Sequence, residues 1–135
     1  MKYFLDTNVI VYSLHTRTPQ HAEVTSFLGE CLRKNTTCYF LSSSLKDAYY
    51  ILCRHYLSES NARKSIKMFR EIFDMVDLNS TIIDNAIDSD EPDFEDALVR
   101  CAAEILQVDA IISYDEDAFE SSVIAKLTAK INAMT

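Results

Sequence analysis

Lys2-Tyr3-Phe4-Leu5-Asp6-Thr7-Asn8 is a short β-type apolar run that stops on three turn-forming polar residues. The same grammar recurs where Ala110-Ile111-Ile112-Ser113 runs into Tyr114-Asp115-Glu116-Asp117, and where Thr37 to Leu41 runs into Ser42-Ser43-Ser44. Apolar residues at 24, 27, 28, 31 and 32 give His21 to Lys34 a helical period, as do those at 45, 48, 49, 52, 53 and 56 in Leu45 to Leu57. A further helix is expected from about Ser60 to Phe73. Another is expected from Asp93 to Leu106, with Phe94, Ala97, Leu98, Cys101, Ala102 and Ile105 on one side. Val9 to Leu14 and Thr81 to Ile87 read as short helices, and Met75 to Leu78 as a short strand. Val123 to Leu127 reads as an edge strand, followed by a closing helix over 129–134.

Strands separated by helices predict an α/β fold whose parallel sheet is covered on both faces. Right-handed crossovers then bring all the strand C-termini to one edge, where such folds bind ligands. Asp6 and Asp115 each follow a strand directly, so both belong to that edge.

The 135 residues suit one domain, and 48% hydrophobic with 25% charged residues is an ordinary globular balance. One glycine and two prolines predict few long irregular loops, so helices should dominate. Cys31, Cys38, Cys53 and Cys101 contain no C-x-x-C pair and read as small buried hydrophobes of a reducing cytoplasm. No apolar run approaches the ~20 residues of a membrane span, so no membrane partner is expected. The N-terminal apolar run is too short for a signal peptide. A net charge of −8 repels a polyanion at long range. Either the acids form a solvated surface, or some of them are gathered to hold cations.

Each acid has a structural reading. Asp6 could cap a helix or close an Asx-turn at its strand-to-helix junction. Ser44-Leu45-Lys46-Asp47 resembles a capping box with Asp in place of the usual Glu or Gln. Asp93 could cap the helix it precedes, and Asp96 could pair with Arg100 one turn on. The helical wheel sets Asp96 nearly opposite Phe94 and Leu98, where a solvated residue belongs. A turn accounts for Asp115-Glu116-Asp117. Their joint placement at junctions on one edge is harder to explain structurally. Carboxylates at ~4 Å repel by about 1 kcal/mol per pair in water and about 4 near a protein surface, a cost accepted where a divalent cation sits among them. An all-oxygen donor set without His or Cys suits Mg²⁺ or Mn²⁺ rather than Zn²⁺.

Four segments in order then carry a resemblance: Phe4-Leu5-Asp6-Thr7-Asn8-Val9-Ile10, Leu41-Ser42-Ser43-Ser44-Leu45-Lys46-Asp47, Asp93-Phe94-Glu95-Asp96-Ala97-Leu98 and Ile111-Ile112-Ser113-Tyr114-Asp115-Glu116-Asp117-Ala118-Phe119. They resemble the signature segments of the PIN-domain family, and the resemblance covers nearly the whole chain. It implies a single domain over 1–135, built as a three-layer α/β/α sandwich with a mainly parallel central sheet. It also implies Mg²⁺- or Mn²⁺-dependent cleavage of RNA. Carried over residue by residue, the catalytic and metal-holding acids are Asp6, Asp47, Asp96 and Asp115, with Asp93 and Asp117 as further candidates. Thr7, Asn8 and Ser113 match the family's supporting polar residues. Asp47 stands where the family more often has Glu, and Ser113-Tyr114 where Thr and Arg are frequent. Many small members are toxins of bacterial toxin–antitoxin pairs, so the resemblance implies an RNA substrate, an antitoxin protein and a homodimer. The rival readings are a non-catalytic scaffold of the same fold, and a phosphohydrolase with Asp6 as nucleophile. The latter wants a second Asp at position 8, which is Asn.

Arg54, His55, Arg63, Lys64, Lys67 and Arg70 gather on the central helical pair. Arg54, Arg63, Lys64 and Lys67 are the candidates for an RNA-binding rim, against the plainer reading of a solvated charged face. Tyr49, Tyr50 and Tyr56 read as core or dimer contacts rather than base-stacking platforms.

Overall fold

The computed structural model describes residues 1–129. Five strands form a sheet in the order β3-β2-β1-β4-β5, with β1 (Lys2–Leu5) at its centre. β2 is Thr37–Leu41, β3 Asp74–Val76, β4 Ala110–Ile112 and β5 Ala125–Leu127. Every pairing is parallel; Leu5 stands in register with Phe40 on one side and Ile112 on the other. The expected parallel α/β sheet is therefore present, and its strand C-termini share one edge.

Among the described residues, six helices cover it: α1 (Thr7–Leu14), α2 (His21–Arg33), α3 (Ser42–His55), α4 (Glu59–Ile72), α5 (Ser80–Ile87) and α6 (Phe94–Leu106). Alternation along the strands sorts the core into two layers, because successive side chains point to opposite faces. Tyr3, Leu5, Phe40, Ala110 and Ile112 face α1 to α4 and pack with Val9, Ile10, Val24, Phe27 and Phe69. Phe4, Leu41 and Ile111 face the other way and pack with Ile82 and Ala86 of α5 and Ala97, Leu98 and Ala102 of α6. Phe4, Leu5, Phe40, Leu41 and Ile111 are fully buried, each worth roughly 1.5–3 kcal/mol of transfer free energy. The central strands thus read as unbroken apolar runs because both faces are covered.

Several boundaries move. α3 begins at Ser42, three residues before the expected Leu45, since the chain turns into helix directly after Leu41. β3 starts at Asp74 rather than Met75 and ends at Val76, where register with Leu41 runs out. β5 begins at Ala125; Val123 is 86% exposed and lies outside the ladder. The closing helix expected over 129–134 lies outside the described residues beyond Ala129. Among the described residues, all four cysteines are free thiols, three of them buried. No helix among them is long and apolar enough to cross a membrane.

Candidate metal centre

The β1–α1 junction builds the first wall of the site. Asp6 continues the sheet by donating its N–H to the Ile112 carbonyl at 3.0 Å, then turns into α1 as its N-cap. Its Oδ1 accepts the Thr7 N–H at 2.8 Å, so the capping role expected for it is real. Its Oδ2 accepts the Ser113 hydroxyl at 2.7 Å. Asp6 is only 5% exposed, and burial pushes its carboxyl above the ordinary Asp range against the pull of both hydrogen bonds. Asp115 and Asp93 push it the same way.

Ser113 connects the two strand ends. While donating to Asp6, its Oγ accepts the Asp115 N–H at 3.0 Å and lies 3.5 Å from Asn8 Nδ2. Asn8 returns the link through Oδ1, which accepts the Tyr114 N–H. Thr7 donates its hydroxyl to Ser44 Oγ at 2.8 Å, joining α1 to the first turn of α3. The three supporting polar residues named from the sequence therefore form one network across three segments.

That network overturns the capping box. Ser44 lies inside α3 rather than before it, and its buried hydroxyl is engaged by Thr7, while the N-cap position belongs to Leu41. Asp47, one turn along α3, is paired with Lys46 at 3.0 Å.

On α6, Asp93 is the N-cap, its Oδ1 accepting the Asp96 N–H at 3.0 Å. The expected Asp96–Arg100 pair does not form. Arg100 is buried and turns instead to Asp90 at 2.6 Å, Glu91 at 3.3 Å and Glu104 at 3.3 Å. Asp96 lies on the polar side of the wheel but is half-buried, because that side of α6 meets the site rather than open solvent. Burial first, then Asp6, Asp93 and Asp115, pushes its carboxyl up to about 7.

Asp6, Asp47, Asp96 and Asp115 line one cavity of about 510 Å³ at the C-terminal edge of the sheet. Thr7, Asn8 and Glu95 add to its polar lining, and Val11, Tyr12, Tyr50 and Ile51 supply apolar surface. Glu95 was not singled out from the sequence; its place beside Asp96 in the first turn of α6 was the available signal. Asp93 and Asp117 are exposed and absent from the lining. Asp93 acts on the cavity through charge, and Asp117 donates its N–H to Asp115 Oδ1. Of the basic candidates, Arg54 adjoins the cavity through Tyr50, donating to its hydroxyl at 2.5 Å with the guanidinium over the ring. Arg63 is paired with Glu59 on α4, and neither it nor Lys64 nor Lys67 lines the cavity. Tyr50 is 56% exposed, which removes the core alternative from its reading as a core or dimer contact.

The donor set fits a hard divalent cation: carboxylates only, with Asp6 and Asp96 both held above their normal range by burial first and by neighbouring acids after it. Among the described residues no three His, Cys, Asp or Glu side chains form a closed group of ligands. Mg²⁺ is commonly held in this open way, by one or two carboxylates, with water and substrate phosphate completing the shell.

A PIN-domain family model matches residues 2–117, and the chain belongs to that family. The sequence matches none of the curated proteins. The fold is similar to that of FitAcB from Neisseria gonorrhoeae, with a TM-score of 0.71 at 13% identity over 94% of this chain and 97% of that one. It is similar to VapC20 from Mycobacterium tuberculosis, a sarcin–ricin-loop-cleaving toxin, with a TM-score of 0.69 at 12% identity over 85% and 91%. VapBC-1 from nontypeable Haemophilus influenzae gives a TM-score of 0.68 at 14% identity over 96% and 98%.

Proposed function

We propose that this PIN-domain protein is a Mg²⁺- or Mn²⁺-dependent ribonuclease that cleaves RNA phosphodiester bonds and serves as the toxin of a toxin–antitoxin pair. The carrying observation is the cavity in which Asp6, Asp47, Asp96 and Asp115 meet, with Asp96 pushed up to about 7. These four are the residues we assign to holding the cation. Bound there, it would supply positive charge to a phosphodiester oxygen and acidity to the attacking water in an in-line displacement.

The chain's own residues divide the remaining work. Ser113 and the Thr7 N–H hold Asp6 by one oxygen each, so its carboxylate has one orientation. Asn8 ties the Asp115 loop to α1 through the Tyr114 N–H. Asp96 gives up its proton near neutrality, so cation binding is linked to its ionisation and strengthens as pH rises through about 7. Tyr12 and Tyr50 line the cavity with aromatic surface, and Arg54 beside Tyr50 and Lys46 beside Asp47 place positive charge next to its acids.

The fold similarity to VapC20 and to the VapBC-1 and FitAcB proteins supports the toxin role and an antitoxin partner. Exposed apolar side chains on α3 and α4, among them Tyr50, Met68 and Ile72, support a homodimer.

The test is incubation of purified protein with mixed RNAs and Mn²⁺ or Mg²⁺ beside the Asp6→Asn variant. Metal-dependent cleavage by the parent and its loss in the variant are expected. Equal cleavage by both, shown to be intrinsic, overturns the assignment.

A further inference from the structure

The loop that carries Asp115 is gripped by two charged side chains of opposite sign, neither of which lines the acidic cavity. On one side, the Lys126 ammonium of β5 donates to the main-chain carbonyls of Asp115 at 2.9 Å, Glu116 at 2.9 Å and Ala118 at 2.6 Å. On the other, Glu91, its side chain 1% exposed, accepts the Phe119 N–H at 2.9 Å through Oε2. Glu91 is held in turn by Arg100, whose second terminal nitrogen donates to the Ser121 carbonyl at 3.1 Å.

The chemistry of this grip is specific. An ammonium has three N–H donors, and the turn offers three convergent carbonyls, one for each. Phe119 has φ of 66°, a left-handed conformation that an aromatic residue adopts only when its surroundings hold it there. Ala118 and Phe119 are both buried, so the reversal of the loop is locked into the core. The Asp115 backbone is thereby fixed at both ends. Its N–H goes to Ser113 Oγ and so to Asp6, while its C=O goes to Lys126. The Asp117 N–H then fixes one oxygen of its carboxylate.

We infer that Lys126 and Glu91 are positioning residues, which hold Asp115 in register with Asp6 and Asp96 by clamping the 115–119 loop from opposite sides. The inference rests on the cation-holding role proposed for those acids. A merely structural role would cost stability alone; a positioning role moves cation affinity without touching a ligand carboxylate.

The experiment compares the parent with Lys126→Met, Lys126→Arg and Glu91→Gln. Mn²⁺ affinity is read by calorimetry, and amide hydrogen exchange is read in metal-free protein. Lys126→Met keeps the aliphatic stem and removes the donors, so Mn²⁺ affinity should fall about 10- to 100-fold, as for loss of an outer-shell partner. Exchange should quicken at 115–119 while the amides of β1 and β4 stay protected. Glu91→Gln keeps an acceptor for Phe119 and should fall between Lys126→Met and the parent, and Lys126→Arg should recover most of the affinity. Unchanged Mn²⁺ affinity in Lys126→Met overturns the inference, as does protection lost evenly across the sheet. If the parent itself binds no Mn²⁺, the cation site fails and the positioning of Asp115 for a cation fails with it. Selective loss of protection at 115–119 in that case would identify the cation reading, rather than the clamp on the loop, as the error.

Discussion

The cavity has two halves of different construction. Asp6 and Asp115 sit where strands end and are wired to each other through Ser113, with Asn8 and Thr7 bracing the same junction. Asp47 and Asp96 ride on helices, the first beside Lys46 and the second with its N–H on the Asp93 cap but its carboxyl open to the other acids. The strand half derives its geometry from a dense polar network over an apolar sheet. The helix half derives its geometry from how α3 and α6 pack. The strand half should therefore fail abruptly when a single atom is removed, and the helix half should respond gradually, through charge.

The largest effect belongs to the strand half. Asp6→Asn retains a capping oxygen for the Thr7 N–H, since Asn and Asp cap about equally well. It removes a buried charge from the proposed cation site, so metal-dependent cleavage should fall by more than the ~100-fold that loss of an outer-shell partner costs. Thermal melting of the metal-free variant should stay level or rise, because burial already opposes ionisation of Asp6. A drop of several degrees in melting temperature with cleavage intact would reverse the contrast between ligand and cap.

Ser113→Ala should come next. The buried hydroxyl serves Asp6 as donor and the Asp115 amide as acceptor, so its loss leaves both short of a partner and should cost about 1–3 kcal/mol. Activity should fall about 10- to 100-fold, with Mn²⁺ affinity falling in parallel. Chemical denaturation and a Mn²⁺ titration on the same preparation check this. Stability lost with no change in Mn²⁺ response would show the network to be scaffolding alone.

How far the sequence discloses this architecture follows from the same division. The parallel sheet and the shared edge were legible, because period-two and period-3.6 apolar patterns report directly on strands and helices, and chirality does the rest. Asp6 and Asp115 were placed on that edge by adjacency to strands alone. Asp96 was harder, because a wheel separates apolar from polar faces but cannot tell a polar face turned to solvent from one turned to a cavity. The Ser44–Asp47 capping box was misleading for a related reason: three serines in a row offer three candidate caps, and tertiary bonds decide. Here Ser42 Oγ takes the Leu78 N–H and Ser44 Oγ takes the Thr7 hydroxyl. Glu91 and Lys126 carry no local signature, since their side-chain partners lie 8 to 28 positions away. Arg100 has a local partner in Glu104 but meets Asp90, Glu91 and Ser121 only through the fold.

On the helix half, Asp96 predicts a pH dependence of definite sign. Its folded pKa, about 7, lies above the ordinary Asp value of 3.8, so between those limits the folded chain holds a proton that the unfolded chain has released. Stability of the metal-free protein should therefore decline as pH rises from about 4 to about 7 and level off above, with Asp6 contributing in the same direction. Asp96→Asn should flatten this part of the profile and melt higher than the parent at pH 8, the two converging towards pH 4. Melting curves in chelator across that range provide the measurement. A parent whose profile runs parallel to that of Asp96→Asn from pH 4 to 8 would mean that Asp96 ionises without resistance.

The smallest effect, and the finest test of the contrast, lies at Lys46. Its ammonium sits 3.0 Å from Asp47 Oδ1 but is largely solvent-exposed, so the pair contributes little to folding. Lys46 is nonetheless paired directly with a carboxylate of the cavity, where it competes for Asp47 with any divalent ion. Lys46→Met keeps the stem, leaves Asp47 unpaired and should leave the melting temperature unchanged within error. Mn²⁺ affinity should rise modestly, by a few-fold at low ionic strength, with the gain disappearing as added salt screens the ammonium. Such a gain marks Asp47 as a carboxylate tuned by surrounding charge. The matching change on the strand side, Asn8→Ala, removes a hydrogen-bonding amide and should weaken Mn²⁺ binding at every salt concentration. If Lys46→Met instead weakens Mn²⁺ binding irrespective of salt, Lys46 positions Asp47 as Ser113 positions Asp6, and the two halves are built alike.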